Sequence, residues 1–413
     1  GQEQDGLYGS LIFAPAGTDP IRTDRDYVVV LSDFTDEESA DIMSNLKMDS
    51  SYYATARRTL GDFFDEARNK GFDKAWKDAK DWGQMRMART DLSDVSGYTF
   101  LINGKTPEQN WTCLFKPGER VRLRFINASS MSIYDVRIPG LKMRVVQADG
   151  QNVEPFDIDE FRSAPAETYD VVVYPKEDKA YTIAAESIDR TGFAIGTLAP
   201  REEMRGEAPT PRPRALLTMG DMGMMDMEGM EMTMEDMKSG WADAGTPPGD
   251  KALSYKDLRY AGIQKDTRPP ERTIDVRLGG NMERFIWTIN GKKFNDAEPL
   301  RLRYGERVRL KFTNETMMAH PMHLHGMFVQ LENGQPAEKL PNKHTVIVAP
   351  GQSYSVLLTA DEAGEWAFHC HMLFHMLSGM MTKVVVAKFD AADIPKQEPM
   401  ANMPAEGSHS HAH

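Results

Sequence analysis

The sequence predicts an all-β protein of tandem Greek-key β-sandwiches, and three observations predict it. From about residue 98 onward, short β-branched runs alternate with Gly, Pro and Asn punctuation, as in a sandwich or barrel. One block occurs twice: Ile102-Asn-Gly-Lys105 returns as Ile289-Asn-Gly-Lys292, and Gly118-Glu-Arg-Val-Arg-Leu-Arg-Phe-Ile-Asn127 returns as Gly305-Glu-Arg-Val-Arg-Leu-Lys-Phe-Thr-Asn314. Both offsets are 187 residues, so two copies of one fold share the chain without a net gap between the matched blocks. A length of 413 residues suits two or three domains with sizeable cores.

The elements follow in order. The chain opens in mid-pattern on Gly1. Gly6-Leu-Tyr-Gly-Ser-Leu-Ile-Phe-Ala-Pro15 reads as a closing strand, so residues 1–20 are expected to be the terminal strand of a truncated first domain. Residues 26–32 read as a strand that begins a second domain over 21–206. Within it, residues 35–90 space apolar positions three and four apart, which predicts a helical insertion, with Thr35-Asp-Glu-Glu38 as a capping-box start. Residues 207–270 form a Pro- and Met-rich linker, opened by the stiff Glu207-Ala-Pro-Thr-Pro-Arg-Pro-Arg214. A third domain spans 271–390, and the polar 391–413 reads as a disordered tail.

Composition narrows the function. Lys plus Arg is 49 against 62 Asp plus Glu, a net charge of -13, which repels nucleic acid and suits cationic ligands. No apolar run approaches a membrane span, and two cysteines cannot build a disulfide framework. No histidine precedes His320, and six of the ten fall in two short windows.

Those windows carry the chemistry. They read His320-Pro-Met-His323-Leu-His325 and His369-Cys370-His371-Met-Leu-Phe-His375-Met-Leu-Ser-Gly-Met380. Side chains alternate faces along a strand, so parity sorts the donors. His323, His325, His369 and His371 form one group. His320 and Cys370 form the other, joined after the strand by His375 and Met380. Two imidazoles, a thiolate and a thioether are the donor set of a blue-copper site, whereas zinc would more commonly close with a further His or Cys. The four imidazoles opposite could hold further copper, and the covalent path from Cys370 into His369 and His371 would join the two groups. Carried forward in register, His320, His323 and His325 face Ile133, Val136 and Ile138. The first copy is therefore expected to be structural.

Other donors weigh less. His344 is expected on the surface or behind the ligands, Cys113 is a structural thiol, and His409, His411 and His413 decorate the tail. Met219, Met222, Met224, Met225, Met227, Met230, Met232, Met234 and Met237 lie among six acids without Lys or Arg, which favours a Cu(I)-gathering loop over a plain linker.

With these residues in place, the chain resembles the multicopper oxidases of the copper-resistance, CopA-like type. Beyond the copper windows, the likeness includes Gln2–Gly9, Asp62–Glu66, Asp91–Tyr98, Val136–Met143 and Ala148–Glu154. The resemblance implies cupredoxin domains, a type 1 copper at His320, Cys370, His375 and Met380, and trinuclear-cluster ligands at His323, His325, His369 and His371. It implies oxidation of Cu(I) or phenolic donors coupled to reduction of dioxygen to water, in the periplasm. It also implies an upstream domain with two further His-X-His pairs. Without them the chain is expected to hold half of the cluster and to act alone as a blue-copper, Cu(I)-binding module. A copper-storage protein using Met219–Met237 is a third class, and the intact Cys370 constellation argues against it.

Overall fold

The computed structural model describes residues 1–54, 59–84, 92–214, 216–218, 221, 241 and 245–388. The first sandwich contains β1 (Arg25–Phe34), α1 (Ser39–Met48), α2 (Leu60–Lys70), α3 (Phe72–Gln84), β2 (Thr99–Ile102), β3 (Trp111–Leu114), β4 (Val121–Asn127), β5 (Tyr134–Arg137), β6 (Met143–Ala148), β7 (Gln151–Ile158), β8 (Glu160–Ser163), β9 (Thr168–Val173), β10 (Tyr181–Ser187) and β11 (Phe193–Ala199). The second contains β12 (Arg272–Asn281), β13 (Ile286–Ile289), β14 (Leu300–Arg303), β15 (Arg307–Asn314), β16 (His320–Leu324), β17 (Val329–Leu331), β18 (Asn342–Lys343), β19 (Thr345–Val348), β20 (Ser353–Thr359), β21 (Gly364–Cys370), α4 (Leu373–Leu377) and β22 (Met381–Ala387).

The repeat is a repeat of topology. The first sandwich pairs a sheet of order β2-β1-β4-β9-β6-β7 with one of order β3-β11-β10-β5-β8. Adding eleven to every strand number gives the two sheets of the second. The repeated residues explain why. Asn103 and Asn290 both take the left-handed conformation, φ 49° and 52°, each followed by a glycine at φ 74°. In that pose the Asn103 Oδ1 accepts the Val30 N–H and the Asn290 Oδ1 accepts the Arg277 N–H, both at 2.8 Å, which ties each turn to the neighbouring strand. Asn127 donates to the Ser132 and Ser163 carbonyls, and Asn314 donates to those of Met318 and Val348. Each crosses from one sheet's strand end to the other sheet, so both sandwiches are latched alike. Val29, Leu123, Phe125 and Val171 fill the first core, and Val276, Leu310, Phe312 and Val356 the second, all essentially without exposure.

Two expectations are corrected. No strand forms over 1–20. Residues 1–7 make turns instead, with the Asp5 N–H on the Gly1 carbonyl at 3.1 Å. The segment packs against the first sandwich by its side chains: buried Gln4 accepts from Tyr98 and Ser130, and Tyr8 meets Ser32. Nor does Thr35 cap a helix. α1 starts at Ser39 without a side-chain cap, and the reciprocal Thr59–Asp62 capping box opens α2 instead. The second half of the linker is not a free connector. Its backbone lies across both sandwiches, pairing Glu154, Glu160 and Ala261–Asn152 on one side and Tyr260–Lys339 on the other. Residues 391–413 lie outside the described residues.

Asn290→Ala should cost about 2 kcal/mol, since alanine tolerates the left-handed turn less well than asparagine and orphans the Arg277 N–H. Asn290→Gly should cost less, because glycine keeps the backbone at no steric penalty. Urea melts of the two variants compare the effects directly. Equal losses would mean that the backbone conformation is not part of the cost.

Candidate metal centre

The site rests on one strand pair. β16 and β21 run antiparallel with Met322 opposite Cys370 and His323 opposite His369. Residues directly opposite share a face, so His320 and Cys370 point to one side of the sheet and His323 and His369 to the other. β21 then leaves the sheet into α4, one short turn of helix that brings His375 back beneath Cys370. The Cys370 N–H donates to the Met380 carbonyl at 3.1 Å, and the Met380 N–H to that of His375 at 3.0 Å. This closes the 370–380 loop and sets fully buried Met380 beside the group.

On the buried side the donor atoms converge. The Cys370 Sγ lies 3.6 Å from the Nδ1 of both His320 and His375, and the two Nδ1 atoms are 3.1 Å apart. Among the described residues this is the one group of three or more His, Cys, Asp or Glu whose donor atoms lie within 4.8 Å of one another. The opposite ring nitrogens are spoken for. The Thr316 hydroxyl donates to the Asn314 Oδ1 or the Met318 carbonyl, so it accepts from the His320 Nε2 at 2.7 Å. The His375 Nε2 meets the Asp94 Oδ2 at 2.6 Å. With Asp94 ionised, both imidazoles carry their hydrogen on Nε2 and aim a bare Nδ1 lone pair at the thiol. Two lone pairs at that separation repel unless a cation lies between them. Trp287, without exposure, lies tilted by 35° against His375 at 4.1 Å between ring centroids and meets His320 edge-on at 5.2 Å.

Electrostatics agrees with a metal cradle. Burial pushes His375 down to about 3 and holds His320 well below its ordinary value, with His375 adding to the effect, so both are neutral donors. Burial raises the Cys370 thiol, which makes its proton one that a bound cation must displace. Asp94 is pushed up to about 7 by burial alone. Two neutral imidazoles, a thiol and an adjacent thioether fit copper, which accepts soft and borderline donors in this arrangement.

The other face holds an open cluster. Ring centroids lie 4.8 Å apart for His323 and His325, 5.3 Å for His325 and His369, 5.4 Å for His369 and His371, and 5.5 Å for His323 and His371. The Nδ1 of His369 donates to the Cys370 carbonyl at 2.9 Å, which leaves its Nε2 facing the His325 Nε2 at 3.1 Å. Burial is the main cause lowering His323 to about 2 and His371 to about 3.

Sequence reasoning missed Asp94, Thr316 and Trp287. Asp94 lies 281 residues from His375 and in the other sandwich. Its stretch, Asp91–Tyr98, was noticed only as a family likeness. Thr316, four residues before His320, was within reach of a local search for caps. His344 lies behind the ligands, its ring 5.1 Å from that of His323. Cys113 is buried in the first sandwich, and its thiol is raised by burial. Met219, Met222, Met224, Met225, Met227, Met230, Met232, Met234 and Met237, like His409, His411 and His413, lie outside the described residues. Flanking them, the buried Asp221 accepts the Trp241 N–H at 3.1 Å, and Trp241 stacks on the Arg162 guanidinium at 4.6 Å.

Fold and site together define a cupredoxin-type copper protein. Family models described as multicopper oxidase match residues 25–202 and 267–390. A copper resistance protein A homolog of Pseudomonas syringae pv. tomato is 45% identical over 93% of this chain and 75% of its own length. Copper resistance protein A of Escherichia coli is 43% identical with the same coverage. Among solved structures, Fet3p, a multicopper oxidase that functions in iron import, superposes with a TM-score of 0.60 at 16% identity, over 89% of this chain and 66% of that one. A laccase from Botrytis aclada gives 0.57 at 16% identity, over 88% and 64%. The chain thus spans three quarters of these curated relatives and slightly under two thirds of these solved chains. It belongs to the multicopper oxidase family, copper-dependent oxidoreductases, and to the copper-resistance branch of it.

The depressed histidines set a pH dependence. Unfolding lets His320, His323, His371 and His375 regain an ordinary value of 6.5, so below that pH the unfolded chain binds more protons. Asp94 works the other way, since its folded form holds a proton that the unfolded form releases above 3.8. Four imidazoles outweigh one carboxyl. Copper-free protein should lose stability as pH falls below about 6.5, by ~1.4 kcal/mol per pH unit for each fully charged histidine. Copper loading should move the loss to lower pH. Denaturant midpoints between pH 7.5 and 5 measure it, and a flat profile would contradict the neutral-imidazole assignment.

Proposed function

We propose that this chain carries the donor-oxidising site of a copper oxidase that takes electrons from Cu(I) or phenolic donors and delivers them to dioxygen, in copper resistance. The observation that carries the reading is the convergence of the Cys370 Sγ with the Nδ1 atoms of His320 and His375. In this reading His320, Cys370, His375 and Met380 hold a type 1 copper. His323, His325, His369 and His371 supply four ligands of a trinuclear cluster. Copper at these residues supplies one-electron oxidation of the donor and four-electron reduction of dioxygen to water.

The chain's own residues do the rest. Thr316 and Asp94 hold the Nε2 hydrogens and so aim both Nδ1 atoms. Burial of His320, Cys370, His375 and Met380 excludes water from the donor set. Cys370 is bonded directly to His369 and His371, so the two faces of β21 are one residue apart along the backbone. The periplasm is the compartment that the copper-resistance resemblance implies. No described helix is long and apolar enough to cross a membrane.

A second reading has its own observation: the trio's donor atoms converge, whereas the four imidazoles opposite present no comparable three-atom group among the described residues. A chain that binds one tightly held copper and transfers electrons without turning over dioxygen matches that geometry. Copper-to-protein ratios after chelator washing, with an oxygen-electrode trace on Cu(I) and on a phenol, separate the two. About four coppers with oxygen uptake support the oxidase; about one copper without uptake supports the electron-transfer module.

In either reading, copper-loaded protein should show intense visible absorption from thiolate-to-copper charge transfer, and Cys370→Ser should abolish it. A colourless, folded, Cu(II)-loaded protein would exclude the type 1 assignment. Met380→Leu should keep the colour and raise the reduction potential, since the axial ligand tunes it. An unchanged potential would move the axial role to another residue.

A further inference from the structure

The two sandwiches meet at a buried charged cluster that the copper reading does not use. Lys343, on β18, has no exposure, and its Nζ lies 3.1 Å from both the Asp149 Oδ2 and the Glu167 Oε1, which belong to the first sandwich. Tyr255 donates to the Glu167 Oε1 at 2.6 Å and accepts the Ile347 N–H at 3.0 Å. Asp149 is held rigidly. Its φ is 47°, its Oδ1 accepts the Thr168 N–H at 3.0 Å, and its own N–H donates to the Thr168 carbonyl at 2.9 Å.

An interdomain ion pair would need nothing more. Here the Asp149 Oδ2 also takes the next two N–H groups of the second sandwich, His344 at 3.0 Å and Thr345 at 3.1 Å. Those two residues are the ones that touch His323: its Nδ1 lies 2.8 Å from the His344 carbonyl and 3.0 Å from the Thr345 Oγ1. A carbonyl oxygen only accepts, so the His323 Nδ1 carries the hydrogen and Nε2 presents its lone pair. A carboxylate in one domain is thus two hydrogen bonds from a ring nitrogen in the other.

We propose that Asp149 is a positioning residue: by fixing the His344–Thr345 backbone across the domain interface, it sets the tautomer and aim of His323. The ligand-free sandwich thereby decides how a ligand of the other is presented. This rests on the proposed function only in taking His323 as a metal ligand. The tautomer itself is a property of the copper-free protein.

The test separates positioning from mere charge pairing. An asparagine at 149 loses the charge facing Lys343 and the acceptor for the Thr168 N–H, but turned with its oxygen toward His344 and Thr345 it can still accept both of those N–H groups; an alanine loses every acceptor. Copper-free full-length protein, with 15N-labelled histidine, is read by two-bond nitrogen–proton correlation, which reports the His323 tautomer. Wild type should show the Nδ1–H form, Asp149→Asn should keep it, and Asp149→Ala should give a mixture of both tautomers. In a Cu(II) titration followed by electron paramagnetic resonance, Asp149→Ala should weaken non-blue copper binding about 10- to 100-fold, as loss of an orienting partner typically does, and leave the blue signal unchanged. Asp149→Asn should stay within about threefold of wild type. Equal losses in the two variants would mean that charge pairing alone matters and would overturn the proposal. An unchanged tautomer in a folded Asp149→Ala protein would overturn it too. If the alanine variant does not fold, an Nε2–H tautomer in wild type, or its appearance in Asp149→Asn, still does so. Absence of oxygen uptake bears on the oxidase reading and leaves this result standing.

Discussion

Everything at the metal centre depends on the register of β16 against β21. With Met322 opposite Cys370 and His323 opposite His369, the alternation of side chains places two donor sets on opposite faces of one sheet. A slip of β21 by one residue would turn Cys370 toward the open side, away from His320, and bury His369 in its place. The register is anchored on both flanks. β19 pairs with β16 on one side, and β22 runs along most of β21 on the other. α4 then makes a single turn whose N-terminal N–H groups have no side-chain cap of their own. They are met by the first sandwich instead: Leu373 donates to the Ser130 carbonyl at 2.9 Å, and Phe374 points at the Met131 Sδ.

The first sandwich is therefore more than a spacer. Asp33 accepts from the N–H groups of Ser130, Met131 and Ser132 and from both serine hydroxyls. That clasp fixes the loop against which α4 begins, and hence His375. Asp94 orders the far side of the same ring, and Asp149 reaches the other donor set through His344 and Thr345. Three carboxylates of the first sandwich converge on the second, which carries both histidine-rich donor sets. Buried ionic groups are costly to desolvate, so interdomain positioning at the metal site is a better account of their presence than stability.

The helical insertion contributes at the same border. Lys47 of α1 donates to the Phe285 carbonyl at 2.5 Å, and the Met43 Sδ accepts from Ser378 at 3.5 Å, just past α4. Phe285 in turn meets Trp287 edge-on, and Trp287 lies tilted against His375. A helix of one sandwich thus backs the aromatic wall of the other sandwich's donor set.

The sequence by itself determined the repeated sandwich, because a turn that needs a left-handed Asn-Gly and an Asn latch writes the same residues twice. It also determined which donors share a face, because strand parity is a local property and the histidines lie in two short windows. Local signals failed where partners compete. Thr35 lost its helix to Ser39, and the apolar stretch near Leu11 pairs with no described strand. Only the tertiary structure decided what stands behind the ligands. Asp94 and Asp149 are two of 62 acids, and although both lie in stretches that carry the family likeness, nothing in those stretches tells what either carboxylate faces. Their roles arise from the packing of one sandwich on the other, which places a carboxylate 2.6 Å from a ring nitrogen 281 residues away. Hydrogen-bond partners across a domain interface leave no periodicity in the chain, so that pairing is legible only in three dimensions.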